Sequence, residues 1–202
     1  MRARPGAIAV IALMLAGCGP SVPPLSKLDN GATVLAFGDS LTHGTGATPE
    51  DAYPAQLGRL IGRRVVAAGV PGEVSEEGLR RLPAVLDDVR PQLLIVCHGG
   101  NDFLRRLDEH TVARNVREMV ALAKQRGIAV MLVATPKPGF GAAKVAFYEQ
   151  IGRELGIPVE HDVVADVLTT NKLKSDLVHP NAEGYRHIAE AVAKVLRKAG
   201  AI

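Results

Sequence analysis

Four short stretches hold residue types that could do chemistry together. In "AFGDSLTHG", residues 36–44, Ser40 follows a short apolar run and Gly38. A glycine turn from a strand into a helix would hold the Ser40 hydroxyl at the edge of a sheet. An alcohol is a poor nucleophile at neutral pH until a base takes its proton, and a serine here could equally be an inert helix N-cap. The base candidate lies near the other end, in "DLVHP", residues 176–180, where Asp176 and His179 are three apart. That spacing lets the carboxylate fold back on the imidazole and fix its tautomer, leaving the second ring nitrogen to accept a proton. A polar loop capping the last helix would use the same residues.

The other two stretches offer hydrogen-bond donors. "HGGND", residues 98–102, has two glycines that permit close backbone approach and Asn101, a neutral amide donor. Such a donor suits a developing oxyanion, which a carboxylate would repel; a plain Gly-Gly-Asn-Asp turn is the other reading. Gly72, in "AAGVPGEVS", could aim a backbone N–H at the same point. No metal site is expected, because His43 and His98 lack ligand-like spacing to other histidines or to acids. His110, His161 and His187 read as surface residues.

The elements that must position these groups alternate. "TVLAF", "RVVAAG", "LLIVC", "AVMLVA" and "IPVE" read as buried parallel strands, and residues 51–62, 75–90, 109–126, 142–156 and 181–199 as helices. Ser75 before Glu76 and Glu77 reads as an N-cap, and Gly127 after Lys124 and Arg126 as a helix stop. This order predicts an α/β fold, a three-layer α/β/α sandwich with a parallel sheet of about five strands. Ligands in such sheets bind beyond the carboxyl ends of the strands, where all four stretches fall.

Residues 1–17 form no part of that fold. Two arginines, an apolar run from Ala7 to Ala16 and then small residues read as a secretory signal, too short for a permanent span. Leu15-Ala16-Gly17-Cys18 resembles a bacterial lipobox, which implies lipid on Cys18 and a tether over residues 18–31, leaving the domain at 32–202. Gly19, in place of Asp, favours the outer membrane, so the expected location is the cell envelope, facing the periplasm. The formal charge of +3 falls to about +1 once Arg2 and Arg4 leave, which argues against a nucleic-acid partner. Cys97, in "LLIVC", reads as a small buried hydrophobe, so no intrachain disulfide is expected. A monomer is expected.

In order and strand context, "FGDSL" at 37–41, "PGEVS" with Gly72, "GGND" at 99–102 and "DLVHP" at 176–180 resemble the four blocks of the SGNH hydrolases, or GDSL esterases. "EEGLRRLPAVL" and "RPQLLIV" resemble the bacterial periplasmic members that act as thioesterase, arylesterase and lysophospholipase. The resemblance implies a flavodoxin-like sandwich, with Ser40 as nucleophile, His179 as base and Asp176 as its partner. It implies an oxyanion hole of the Ser40 and Gly72 N–H groups and the Asn101 amide, and no cofactor. Ala67 departs from the family, many members having Asn at that point of the second strand. The expected reaction is hydrolysis of acyl esters or thioesters; a non-catalytic envelope lipoprotein and an acyltransferase are the alternatives. Leu104 and Phe140 are the expected acyl contacts, the latter in a Gly139-Phe140-Gly141 flap. Scarce aromatics, 3% of residues, favour aliphatic acyl groups over sugar esters.

Overall fold

The computed structural model describes residues 22–139 and 142–202. Five strands, β1 (Thr33–Gly38), β2 (Arg64–Gly69), β3 (Leu93–Cys97), β4 (Ala129–Val133) and β5 (Val159–Glu160), form one parallel sheet in the spatial order β2-β1-β3-β4-β5. β1, β3 and β4 are buried almost throughout, as continuous apolar runs covered on both faces should be. β2 differs from the expected buried strand: it is an edge, and Arg64 and Ala67 are exposed. β5 keeps only the last two of its four expected residues. Pro158 has no N–H for a ladder and contributes only its carbonyl, which accepts from Leu132.

Because side chains alternate across a strand, the sheet feeds two cores. Val34 and Ala36 of β1 face one core, and Leu35 and Phe37 the other. The helices are α1 (Ser40–His43), α2 (Tyr53–Ile61), α3 (Ser75–Val89), α4 (Gly100–Leu104), α5 (Glu109–Gln125), α6 (Ala146–Leu155), α7 (Val163–Thr169) and α8 (Ala182–Lys198). On the first face α8 buries Tyr185, Ile188, Ala189, Val192 and Leu196, a stripe at helical spacing, beside Leu57 of α2 and Val164 of α7. Leu82 and Leu86 of α3, Val116 and Met119 of α5 and Ile151 of α6 cover the other.

Several local expectations need correction. The alternative reading of residues 98–102 as a tight turn does not hold, because Gly100, Asn101 and Asp102 are the first turn of α4. α6 starts at Ala146, not 142, and α7 has no counterpart in the sequence reading. Ser75 is the first residue of α3 instead of its cap. Val74 occupies the cap position, and the Glu77 carboxylate accepts its N–H at 3.2 Å. Residues 22–31 are not a loose tether either. Leu28 is buried, and the N–H groups of Leu25 and Leu28 donate to the carbonyls of Ala199 and Ala201, both at 2.8 Å. Two leucines in that stretch supply the apolar surface that docks it. Cys18 lies outside the described residues.

Candidate active site

The strand order reverses between β1 and β3, which makes their carboxyl ends a switch point where doubly wound sheets open a crevice. Ser40 leaves β1 there as the first residue of α1, and Asp39 caps that helix by accepting the Leu41 N–H at 3.0 Å. Gly38 has no left-handed backbone, so the expected glycine turn is not its reason for being there. Close approach is: a Cβ at Gly38 would lie 2.1 Å from the Cys97 carbonyl oxygen and 2.5 Å from Thr42 Oγ1. Only a bare backbone lets β1 turn into α1 while lying against the end of β3.

His179 reaches this point from the loop before α8. Its Nε2 lies 3.1 Å from Ser40 Oγ and its Nδ1 2.7 Å from Asp176 Oδ2. Asp176 Oδ1 accepts the N–H groups of Val178 and His179, both at 2.8 Å, so one carboxylate orients the ring and shapes the loop that carries it. Burial works against the charge on Asp176, but the hydrogen bonds from the His179 ring and from those two N–H groups outweigh it and hold its pKa below the ordinary aspartate value. As Asp176 is ionised it only accepts, so Nδ1 carries the proton and Nε2 presents its lone pair to Ser40.

The expected oxyanion donors gather at the same place. The N–H groups of Ser40 and Gly72 donate to no acceptor among the described residues; Ser40 is at a helix start, where N–H groups lack intrahelical partners. Asn101, on α4, lies between them, but its amide is not idle. Nδ2 donates to Asp39 Oδ2 at 3.2 Å and to the Glu73 carbonyl at 3.1 Å. Both amide hydrogens are therefore committed, and a ligand oxygen must share one of them. Asp39 is buried, and burial raises its pKa.

Leu104 lies three residues beyond Asn101 on α4. It is half exposed and lines a groove of about 450 Å³ with Phe103, Leu107, Pro138, Arg106, Glu109 and Lys137. Phe140 and Gly141 of the expected flap lie outside the described residues. His43 is exposed, whereas His98 is fully buried. Among the described residues no three His, Cys, Asp or Glu side chains are grouped to hold a metal ion. His161 and His187 are half-buried, more covered than the surface positions expected of them.

Sequence reasoning missed the residues that brace the site. Asp102 is buried; its two oxygens accept the N–H and the hydroxyl of Ser75 at 2.8 and 2.6 Å, and Asn115 of α5 donates to the same hydroxyl at 2.9 Å. This cluster locks α3, α4 and α5 together behind Asn101. Glu73, Arg81 and His98 form a second cluster behind Gly72. The only available signal was an acid beside each loop glycine motif, Glu73 after Gly72 and Asp102 after Asn101.

A 2-1-3-4-5 sheet with Ser, His and Asp hydrogen-bonded in series at its switch point, and Gly and Asn beside them, defines the class of SGNH hydrolases. The model of the GDSL-like lipase/acylhydrolase family matches residues 36–187, and the chain belongs to that family. It is 30% identical to the thioesterase 1/protease 1/lysophospholipase L1 of Escherichia coli K12 over 173 residues, which cover 82% of this chain and 83% of that protein. Among solved structures, the SGNH-hydrolase family esterase AlinE4 is 30% identical, with a TM-score of 0.65 over 86% of this chain and 98% of its own. The psychrotrophic esterase EstA from Pseudoalteromonas sp. shares the fold at 22% identity, with a TM-score of 0.74 over 84% of this chain and 98% of its own. The protein is thus a hydrolase of the ester-cleaving SGNH type.

Proposed function

We propose that the protein hydrolyses carboxylic ester or thioester bonds of acyl substrates through an acyl-enzyme on Ser40. The observation that carries this reading is the continuous chain from Asp176 through His179 to Ser40 Oγ, with links of 2.7 and 3.1 Å. His179 Nε2 takes the hydroxyl proton as Oγ bonds to the substrate carbonyl carbon, and the carbonyl electron pair moves onto oxygen. The N–H groups of Ser40 and Gly72, with the Asn101 amide, hold that oxyanion. When the carbonyl re-forms, the alcohol or thiol leaves with the proton from His179. Water then repeats the sequence, losing its proton to His179, and the acid departs. The names of the relatives, a thioesterase and lysophospholipase and an esterase, support acyl esters and thioesters as the substrate class.

Two measurements test this. A fluorophosphonate should label the wild-type protein and leave Ser40→Ala unlabelled; an unlabelled wild type would overturn the reading. A panel of p-nitrophenyl esters, acyl-CoAs and lysophospholipids of increasing chain length should then define the preferred acyl group.

We also infer that Cys18 carries lipid and holds the domain on the periplasmic side of the envelope, at the outer membrane. The reading rests on Leu15-Ala16-Gly17-Cys18 followed by Gly19. Labelled palmitate should enter the full-length protein and not Cys18→Ser, and recovery of the wild type wholly in the soluble fraction would refute it.

A further inference from the structure

Behind Gly72 lies a charged cluster with no part in the proton transfers above. Glu73 is 5% exposed. Arg81, one side of α3, clamps its carboxylate through Nε at 2.8 Å and Nη2 at 2.7 Å. His98, at the end of β3, gives a third contact from Nε2 at 3.1 Å. The Arg81 guanidinium also donates to the Ala68 carbonyl at 3.2 Å and lies 4.3 Å over the Phe37 ring, so the clamp is tied to the ends of both β1 and β2. Desolvation works against the Glu73 charge, but Arg81 and then His98 overcome it and lower its pKa to about 2.

This cluster is costly to bury. His98 is fully enclosed, and its Nδ1 has no partner among the described residues. It also dictates its neighbour: a Cβ at Gly78 would lie 2.3 Å from His98 Nε2. Apolar packing would fill this space without two desolvated polar side chains, Glu73 and His98. What the cluster fixes is the backbone of Glu73, whose carbonyl accepts the Asn101 amide at 3.1 Å and whose preceding residue, Gly72, offers its N–H. Arg105 holds the same loop from the other side, donating to the Gly72 carbonyl at 2.7 Å.

Resting on the acyl-enzyme reading above, we propose that Glu73, clamped by Arg81 and His98, is a positioning residue that sets the orientation of the Asn101 amide and the Gly72 N–H toward the oxyanion. Its carboxylate touches no substrate; its role is to keep the loop from shifting. A misplacement of about 1 Å in such a group can cost about 10²-fold in rate.

The test is a double-mutant cycle between Glu73→Gln and Asn101→Ala, read as kcat and KM on a short-chain p-nitrophenyl ester. With Glu73 acting through Asn101, Glu73→Gln should lower kcat about 10-fold to 10²-fold with KM changed less than about twofold. In the Asn101→Ala background, where only the Gly72 N–H is left for Glu73 to position, the same change should cost a clearly smaller factor in kcat, because coupled positions are not additive. Equal losses in both backgrounds, or an unchanged kcat, would overturn the proposal. If Glu73→Gln fails to fold by circular dichroism, Arg81→Gln takes its place in the same cycle with the same criteria. Fluorophosphonate labelling of the wild type checks the parent reading separately: a wild type that is not labelled sinks that reading, whereas a labelled wild type with an additive cycle sinks only this one.

Discussion

Asn101 and Asp39 are bonded across the switch point, the amide Nδ2 donating to Oδ2 at 3.2 Å. The bond ties the helix that starts with Ser40 to the helix that carries the amide, so the two halves of the site cannot drift apart independently. It also gives Asn101 a structural duty beside its proposed catalytic one. Asn101→Ala should lower kcat by about 10²–10³. It should also lower stability by about 1–3 kcal/mol, since the buried Asp39 oxygen loses its donor. Steady-state kinetics and urea unfolding on the same variant check both, and a stability loss with unchanged kcat would confine Asn101 to the structural duty.

The Glu73 clamp has a signature in acid. A carboxyl whose folded pKa is depressed stabilises the fold above its unfolded value, and that contribution fades as pH falls through the folded one. For Glu73 the window runs from about 4.5 down to about 2, a contribution of roughly 3 kcal/mol at most. Urea midpoints measured from pH 6 to pH 3 should therefore fall less steeply for Glu73→Gln than for the wild type. Parallel slopes would mean that Arg81 and His98 do not stabilise the charge.

Gly38→Ala should be disruptive out of proportion to one methyl group. The new Cβ meets the Cys97 carbonyl at 2.1 Å, and that oxygen belongs to the neighbouring central strand. Overpacking of this kind costs about 1–3 kcal/mol, and relief by moving β1 would displace Ser40. The expected outcome is a lower melting temperature together with loss of esterase activity, read by calorimetry and by phosphonate labelling.

The docked segment at residues 22–31 makes a contrasting prediction. Leu28 is buried at the far end of the molecule from Ser40, so Leu28→Ala should cost about 2–3 kcal/mol while leaving kcat within about twofold. A variant as stable as the wild type would return this stretch to the status of a tether.

The sheet and the gathering of Ser40, Asp176 and His179 were legible because each depends on a local signal repeated in a fixed order. An unbroken apolar run announces a covered strand, and the residues just after it must fall at one edge of the sheet. Edge status was not legible: "RVVAAG" is as apolar as its neighbours, and only the missing partner on one side exposes Ala67. α7 escaped notice because Val163, Val164 and Val167 are β-branched in a short stretch, where period and propensity disagree. The acid after Gly72 hinted at the Glu73, Arg81 and His98 cluster but not at its partners, which sit 8 and 25 positions away with no pattern linking them. Docking of residues 22–31 was missed because its prolines and polar residues hid the two leucines that hold it.

That docking also settles which way the molecule points. α8 leaves the Ser40 edge of the sheet beside His179 and travels about 25 Å at 1.5 Å per residue before its end meets Leu25 and Leu28. The first described residues and the C-terminus therefore share one pole, and Ser40 occupies the other. A bead, chip or fusion partner coupled at residue 22 or residue 202 would leave the face that carries Ser40 turned outward to solution.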